Sequence, residues 1–136
     1  MASVREEGEL GAGIDEVWKL VGDFSGFVEA MGIPVETEGE GVGSTRTIAM
    51  GGSPTIERLE ALDNESRTLQ YSLLQGPLPV ENYLSTMHLS AIDEGRTRLE
   101  WSSEFDAAGI PEADAIEAIR GIYKGGIAGL QARFGA

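Results

Sequence analysis

The pattern of apolar and polar residues predicts an α+β fold. A curved, seven-stranded antiparallel sheet surrounds a long C-terminal helix, with two short helices between strands 1 and 2. Three observations predict it. Six successive segments between Pro34 and Ala107 alternate with period two, and Gly, Pro, Asn or Asp separates most of them. The closing stretch, "IPEADAIEAIRGIYKGGIAGLQARF", repeats apolar residues every three or four positions. The chain of 136 residues, 41% hydrophobic, suits one domain. A domain of that size buries roughly two-thirds of the surface its unfolded chain exposes.

The elements follow in order. "SVREEGEL", residues 3–10, reads as the first strand. In "GIDEVWKLVGDF", Ile14, Val17, Trp18 and Val21 form one helical stripe, and Asp15 and Glu16 stand in the first turn, where the helix dipole favours acids. Gly22 ends that helix. Ser25 is placed to cap a shorter one, "GFVEAM", which stops before Gly32 and Pro34. The six alternating strands are "PVETEGEG", "GSTRTIAM", "PTIERLEALD", "RTLQYSLLQ", "VENYLSTMHLSAID" and "RTRLEWSSEFDA", with "DNES" at 63–66 and "DEG" at 93–95 as the clearest turns. The last helix carries Ile116, Ile119, Tyr123, Ile127, Leu130 and Phe134 on one stripe, and Pro111 stands near its first turn. Only this helix is long enough to cover the apolar face of such a sheet. Seven strands curled around one helix leave a concavity they do not fill, so a cavity is expected.

Composition excludes several function classes. Twenty-three Asp and Glu against ten Lys and Arg give a net charge of −13, which repels phosphate backbones, so no nucleic-acid partner is expected. The chain has no cysteine, which removes disulfides, thiolate ligands and thiol nucleophiles, and its one histidine cannot form a multi-histidine metal centre. No metal and no cofactor are expected. No segment approaches the roughly 18 to 20 continuous apolar residues of a membrane span, and "MASVREEGEL" lacks a signal peptide's basic start and apolar run, so a cytoplasmic protein is expected.

Whether His88 can take part in chemistry depends on the direction of one strand. Tyr83, Ser85, Met87 and Leu89 share one face of "ENYLSTMHLSAID", and Leu84, Thr86, His88 and Ser90 share the other. The preceding strand offers Leu69, Tyr71 and Leu73 on a single face, and the following strand offers Leu99, Trp101, Ser103 and Phe105. Those bulky faces must share a core with the larger side chains of the strand between them. His88 then points outward, and a Ser-His-acid triad is not expected.

Five stretches in this order, "VWKLVGDF", "GVGSTRTI", "ERLEALD", "NYLSTMHL" and "LEWSSEF", resemble the START-like, or SRPBCC, superfamily of helix-grip proteins, which includes the birch-pollen allergens. The chain resembles most its bacterial polyketide cyclase/dehydrase-like branch. Its middle, from "GVGSTR" through "ERLEALD" to "PVENY", is also similar to the plant abscisic acid receptors. The resemblance covers essentially the whole chain. It implies one START-like ligand-binding domain over residues 1–136, with an apolar or amphipathic small molecule held inside. Only some members of the superfamily are enzymes.

Alternation and the resemblance together name the lining: Ile48, Met50, Leu59, Tyr71, Leu73, Tyr83, Ser85, Met87, Trp101 and Phe105 on the sheet, with Ala118, Ile122 and Gly126 on the helix. By alternation Thr55, Glu57, Leu59 and Ala61 share a face, and in the receptors the acid matching Glu57 looks into the cavity. Glu57 is either a partly wet acid at the rim or a buried anchor or general acid/base, with burial raising its pKa. The receptors' internal lysine has no equivalent, because no lysine lies between Lys19 and Lys124. Arg46 is the nearest basic candidate, and the pattern leaves its side open. Gly121, Gly125, Gly126 and Gly129 each cost the helix roughly 0.5 to 1 kcal/mol against alanine. They make room either for a ligand or for close packing on the sheet. The loops "GGSP" (51–54) and "GPLP" (76–79) match the receptors' gate and latch, and here read as hairpin turns or as a mobile entrance. Glu36, Glu38 and Glu40 read as a solvated strand face rather than a cation site.

The function expected first is a small-molecule binding module, monomeric or weakly dimeric, for a lipid-like, aromatic or polyketide-like ligand. The alternative is a polyketide cyclase or dehydratase in which Glu57 moves protons while Tyr71, Tyr83 or Ser85 orients a carbonyl. A third reading is an interaction protein that uses its acidic exterior.

Overall fold

A computed structural model describes residues 1–49 and 53–136 and sets the elements in the expected order. These are β1 (Ala2–Leu10), α1 (Ile14–Val21), α2 (Gly26–Ala30), β2 (Val35–Glu38), β3 (Thr45–Ile48), β4 (Thr55–Asp63), β5 (Thr68–Gln75), β6 (Val80–Asp93), β7 (Arg96–Ala107) and α3 (Glu112–Phe134). The strands form one curved antiparallel sheet in the order β1-β7-β6-β5-β4-β3-β2. Hairpins therefore generate every neighbour except β1, which crosses over to pair with β7 along its whole length. Two turns are closed by the acids that begin them. Asp63 accepts the N–H groups of Glu65 and Ser66, and Asp93 accepts that of Gly95.

The apolar stripe of α3 packs along β1 and β7, with Ala115, Ile119, Tyr123 and Leu130 fully buried. Gly8 of β1 allows the close approach, since a Cβ there would stand 2.4 Å from Ile127 Cγ2. Along the helix, Arg120 pairs with Glu6 at 3.3 Å and Gln131 donates to the Glu9 carbonyl at 3.2 Å. Trp18 of α1 donates its indole N–H to Asn64 at 2.9 Å, and Arg67 reaches Asp15, so the first helix is tied to the β4–β5 turn.

Two local expectations are corrected. Ser25 makes no capping bond at α2; the carboxylate of Asp23 accepts the N–H of Gly26 at 3.0 Å instead. The alternation of β4 breaks at a register shift between Leu59 and Ala61. Ala61 therefore leaves the inward face shared by Thr55, Glu57 and Leu59, and Leu62 packs against the core in its place. Glu36, Glu38 and Glu40 are exposed. His88 lies on the outer face of β6, half-buried, with Nδ1 at 2.8 Å from the Thr68 hydroxyl.

Candidate functional site

The hollow between sheet and α3 is occupied by an aromatic and polar cluster rather than left open at its centre. Trp101 of β7 stacks on Tyr123 of α3, with ring centroids 4.6 Å apart and planes at 17°. Its indole N–H faces the Ser85 hydroxyl at 3.1 Å and the Tyr71 hydroxyl at 3.2 Å. The Tyr123 hydroxyl bonds Ser85 at 2.9 Å and also bonds the hydroxyl of Tyr83. Ser103 borders the Tyr123 hydroxyl without a well-aligned hydrogen bond to it. Phe105, Phe24 and Phe27 close the aromatic shell at centroid distances of 6.1, 6.2 and 5.9 Å from Tyr83, Tyr71 and Trp101 respectively. Burial raises the pKa of all three tyrosines, so each stays a neutral hydroxyl that can both donate and accept.

Beside this cluster lies a buried ion pair. Arg46 and Glu57 are 4% and 7% exposed, and Nε of the arginine donates to the glutamate at 2.9 Å. Cross-strand register places them face to face on β3 and β4. The guanidinium also donates to the Phe24 carbonyl and lies over two rings, 4.0 Å from the Phe24 centroid and 4.9 Å from that of Tyr71. Arg46 thus binds the α1–α2 turn to the inner face of the sheet. Desolvation pushes the Glu57 carboxyl above its ordinary value, and the Arg46 charge and hydrogen bond offset part of that rise.

A pH dependence follows. The folded state holds the Glu57 proton more readily than the unfolded chain, so stability falls as pH rises through the raised pKa, and the gain is complete below 4.5. Glu60, Asp63 and Asp93 shift downward, so the stability they contribute is lost as pH falls through their ordinary values toward the lowered ones. Unfolding free energies of wild type and Glu57→Gln, measured from pH 7 to about pH 5, should diverge in favour of wild type as pH falls. Parallel curves would show that the carboxyl is not raised.

Of the lining residues expected from sequence, Ile48, Leu59, Tyr71, Tyr83, Ser85, Met87, Trp101 and Phe105 are buried on the inner face, and Leu73 is half-buried. Met50, with Gly51 and Gly52 of the "GGSP" loop, lies outside the described residues. The helix line needs correction. Ile122 is 38% exposed, because the buried stripe of α3 runs through Ile119, Tyr123 and Ile127 and leaves Ile122 on its flank. Ala118 on the same flank is half-buried. Gly126 serves close packing, since a Cβ there would stand 2.5 Å from Trp101 Cζ3. Gly121 and Gly125 face open space. Tyr123, Phe24 and the inward course of Arg46 are additions that the structure makes to the site. For Arg46 the signal was present, because it stands two residues before the inward Ile48.

Two depressions flank the cluster. One, of about 270 Å³, lies between the α1–α2 turn and the β2–β3 turn and is lined by Phe24, Ser44, Leu59 and Leu62 among others. The other, of about 420 Å³, opens between the ends of β5 and β6. A family described as polyketide cyclase / dehydrase and lipid transport matches residues 1–135. The chain belongs to that family. The structure of XoxI from Bacillus cereus, at 31% identity, superposes with a TM-score of 0.90 over 98% of this chain and 96% of that one. The di-domain ARO/CYC BexL of the BE-7585A biosynthetic pathway shares the fold at 18% identity and a TM-score of 0.83, over 97% of this chain and 46% of the longer protein. Norcoclaurine synthase from Thalictrum flavum, solved with dopamine and hydroxybenzaldehyde, shares it at 17% identity and a TM-score of 0.74, over 97% and 84%. A search of curated proteins by sequence returns no match. Among the described residues of this polyketide cyclase / dehydrase family member, no helix is long and apolar enough to cross a membrane.

Proposed function

We propose that this chain binds one small amphipathic molecule, aromatic or lipid-like, in the hollow between the sheet and α3. Its polar group meets the hydroxyls of Tyr71, Tyr83, Ser85 and Tyr123, and its apolar body lies against Leu59, Leu73, Met87 and Phe105. The observation that carries this reading is the inward cluster of hydroxyls with an ion pair beside it. An interior built for stability alone is served as well by apolar side chains of equal volume, because buried polar groups repay their desolvation poorly. Membership of a family that includes lipid transport points the same way. Since the rings meet at the centre, the ligand must displace Trp101 or a tyrosine from its present place, which lowers the apparent affinity.

A thermal-shift screen of aromatic and fatty compounds tests this. A ligand at about a hundredfold its Kd should add about 2.7 kcal/mol of stability. Failure of every aromatic and aliphatic class to raise the midpoint would refute it. Catalysis at Glu57 is the second reading, favoured by a carboxyl held above its ordinary value inside the hollow. For a compound that binds, Glu57→Gln changes affinity under both readings, but abolishes a turnover only under the second.

A further inference from the structure

The cluster at the centre of the hollow carries more protons than it can place. Donor hydrogens meet there on the hydroxyls of Tyr71, Tyr83, Ser85, Ser103 and Tyr123 and on the Trp101 indole. Their directions follow from the two members that have no choice. The indole can only donate, and it faces Ser85 at 3.1 Å and Tyr71 at 3.2 Å. The Ser102 carbonyl can only accept, and at 3.2 Å it takes the Ser85 proton. The Tyr123 hydroxyl, 2.9 Å from Ser85, must then donate to that serine, and the Tyr83 hydroxyl donates to Tyr123.

Two protons remain, those of Tyr71 and Ser103. The Tyr71 hydroxyl bonds the indole, which cannot accept. Its neighbour across the β5–β6 ladder, Ser85, already accepts from the indole and from Tyr123. Ser103 is 4% exposed, and among the described residues it is the one buried side chain whose polar atom has no hydrogen-bond partner. Strand register sets Tyr71, Ser85 and Ser103 opposite one another on β5, β6 and β7. The two unplaced protons thus stand in one row on the inner face, on either side of a serine whose acceptor capacity is full. A buried donor without an acceptor costs stability, and alanine would fill the place of Ser103 without that cost.

An excess of donors suits a ligand group that accepts and does not donate. A carbonyl oxygen has two lone pairs and no proton. Alcohols, carboxylic acids and amines also accept, yet each adds a proton to a cluster that already holds two without acceptors. A carboxylate brings a charge instead, and Arg46, the buried cation beside the cluster, is already paired with Glu57. We infer that the molecule held in the hollow presents a carbonyl, as a ketone, ester or lactone, and that Ser103 and Tyr71 select it against alcohols, acids and amines. The inference rests on the binding reading above and names the polar group that reading takes.

The test measures Kd by calorimetry on the full chain. The aromatic probes are 2-acetylnaphthalene, its hydrocarbon isostere 2-isopropenylnaphthalene, 1-(2-naphthyl)ethanol and 2-naphthoic acid. The aliphatic pair is 2-tridecanone and 2-tridecanol. Each ketone should bind the wild type about tenfold or more tighter than its alcohol, and acetylnaphthalene should exceed the isostere and the acid by a similar factor. Ser103→Ala and Tyr71→Phe should each weaken ketone binding about three- to tenfold and leave the isostere unchanged. The carbonyl stretch of bound acetylnaphthalene should lie below its value in hexane and rise in Ser103→Ala. Without ligand, Ser103→Ala should be at least as stable as wild type, so loss of the fold does not obscure its effect on binding.

An isostere, acid or alcohol that binds as tightly as the ketone overturns the inference and leaves the binding reading standing. So do variants that weaken ketone and isostere alike. A ligand-free Ser103→Ala less stable than wild type also overturns it, because the hydroxyl would then have a partner. Failure of every probe to bind the wild type overturns both readings.

Discussion

Arg46→Ala is expected to lower the unfolding free energy by about 3 to 5 kcal/mol at pH 7. The loss has three parts. Glu57, 7% exposed, keeps its burial and loses the charge that compensated it. The Phe24 carbonyl loses its donor, so the α1–α2 turn is no longer bound to the sheet. The rings of Phe24 and Tyr71 lose the cation that lay between them.

The lone carboxyl can escape only by taking up a proton, so the deficit of Arg46→Ala should shrink from pH 7 to about pH 5. Denaturant titrations at the two pH values measure it. The double variant Arg46→Met/Glu57→Leu removes both charges and should recover most of the loss, because two apolar side chains of similar size carry no desolvation cost. A single variant as stable as wild type, or a double variant no better than the single, would show that the pair is hydrated rather than buried. The distinction matters for function. If the pair is dispensable to stability in the double variant, its presence is left for the proposed binding function to explain.

The fold was legible because each element announces itself locally. Period-two alternation with Gly, Asp and Asn at the boundaries located the strands to within a few residues, and the bulky faces of β5 and β7 oriented β6 and sent His88 outward. The site was legible only where alternation held. It failed at Ala61 because a bulge is a single extra residue with no residue type of its own. It left Arg46 open because an inward cation becomes plausible only when its partner is known, and Glu57 is set opposite it by strand register, not by sequence neighbourhood. Ile122 was placed by likeness to a related helix, whereas the stripe from Ile119 to Leu130 already leaves it on the flank. The filled hollow lay beyond sequence altogether. Whether Trp101, Tyr71, Tyr83 and Tyr123 line a space or occupy it depends on ångström distances between elements far apart in the chain.

Those distances make neighbouring glycines of α3 behave oppositely. Gly126→Ala should destabilise the protein by about 1 to 2 kcal/mol, although alanine is the better helix former by roughly 0.5 to 1 kcal/mol. The added methyl would stand 2.5 Å from Trp101 Cζ3 and 2.9 Å from Cη2. The indole cannot yield easily, because Tyr123 stacks on one face, Phe27 packs nearby and its N–H is held by Ser85 and Tyr71. Overpacking against so constrained a ring outweighs the helix gain. Gly125→Ala, one residue earlier, meets nothing within 4 Å and should stabilise by about 0.5 to 1 kcal/mol. Chemical unfolding of the two variants gives the signs, and near-ultraviolet circular dichroism should change for Gly126→Ala alone as the stacked indole shifts. Equal stabilisation by both alanines would mean that Trp101 moves freely. The hollow would then open without cost, and the cluster at its centre would be a passing arrangement instead of the barrier a ligand must displace.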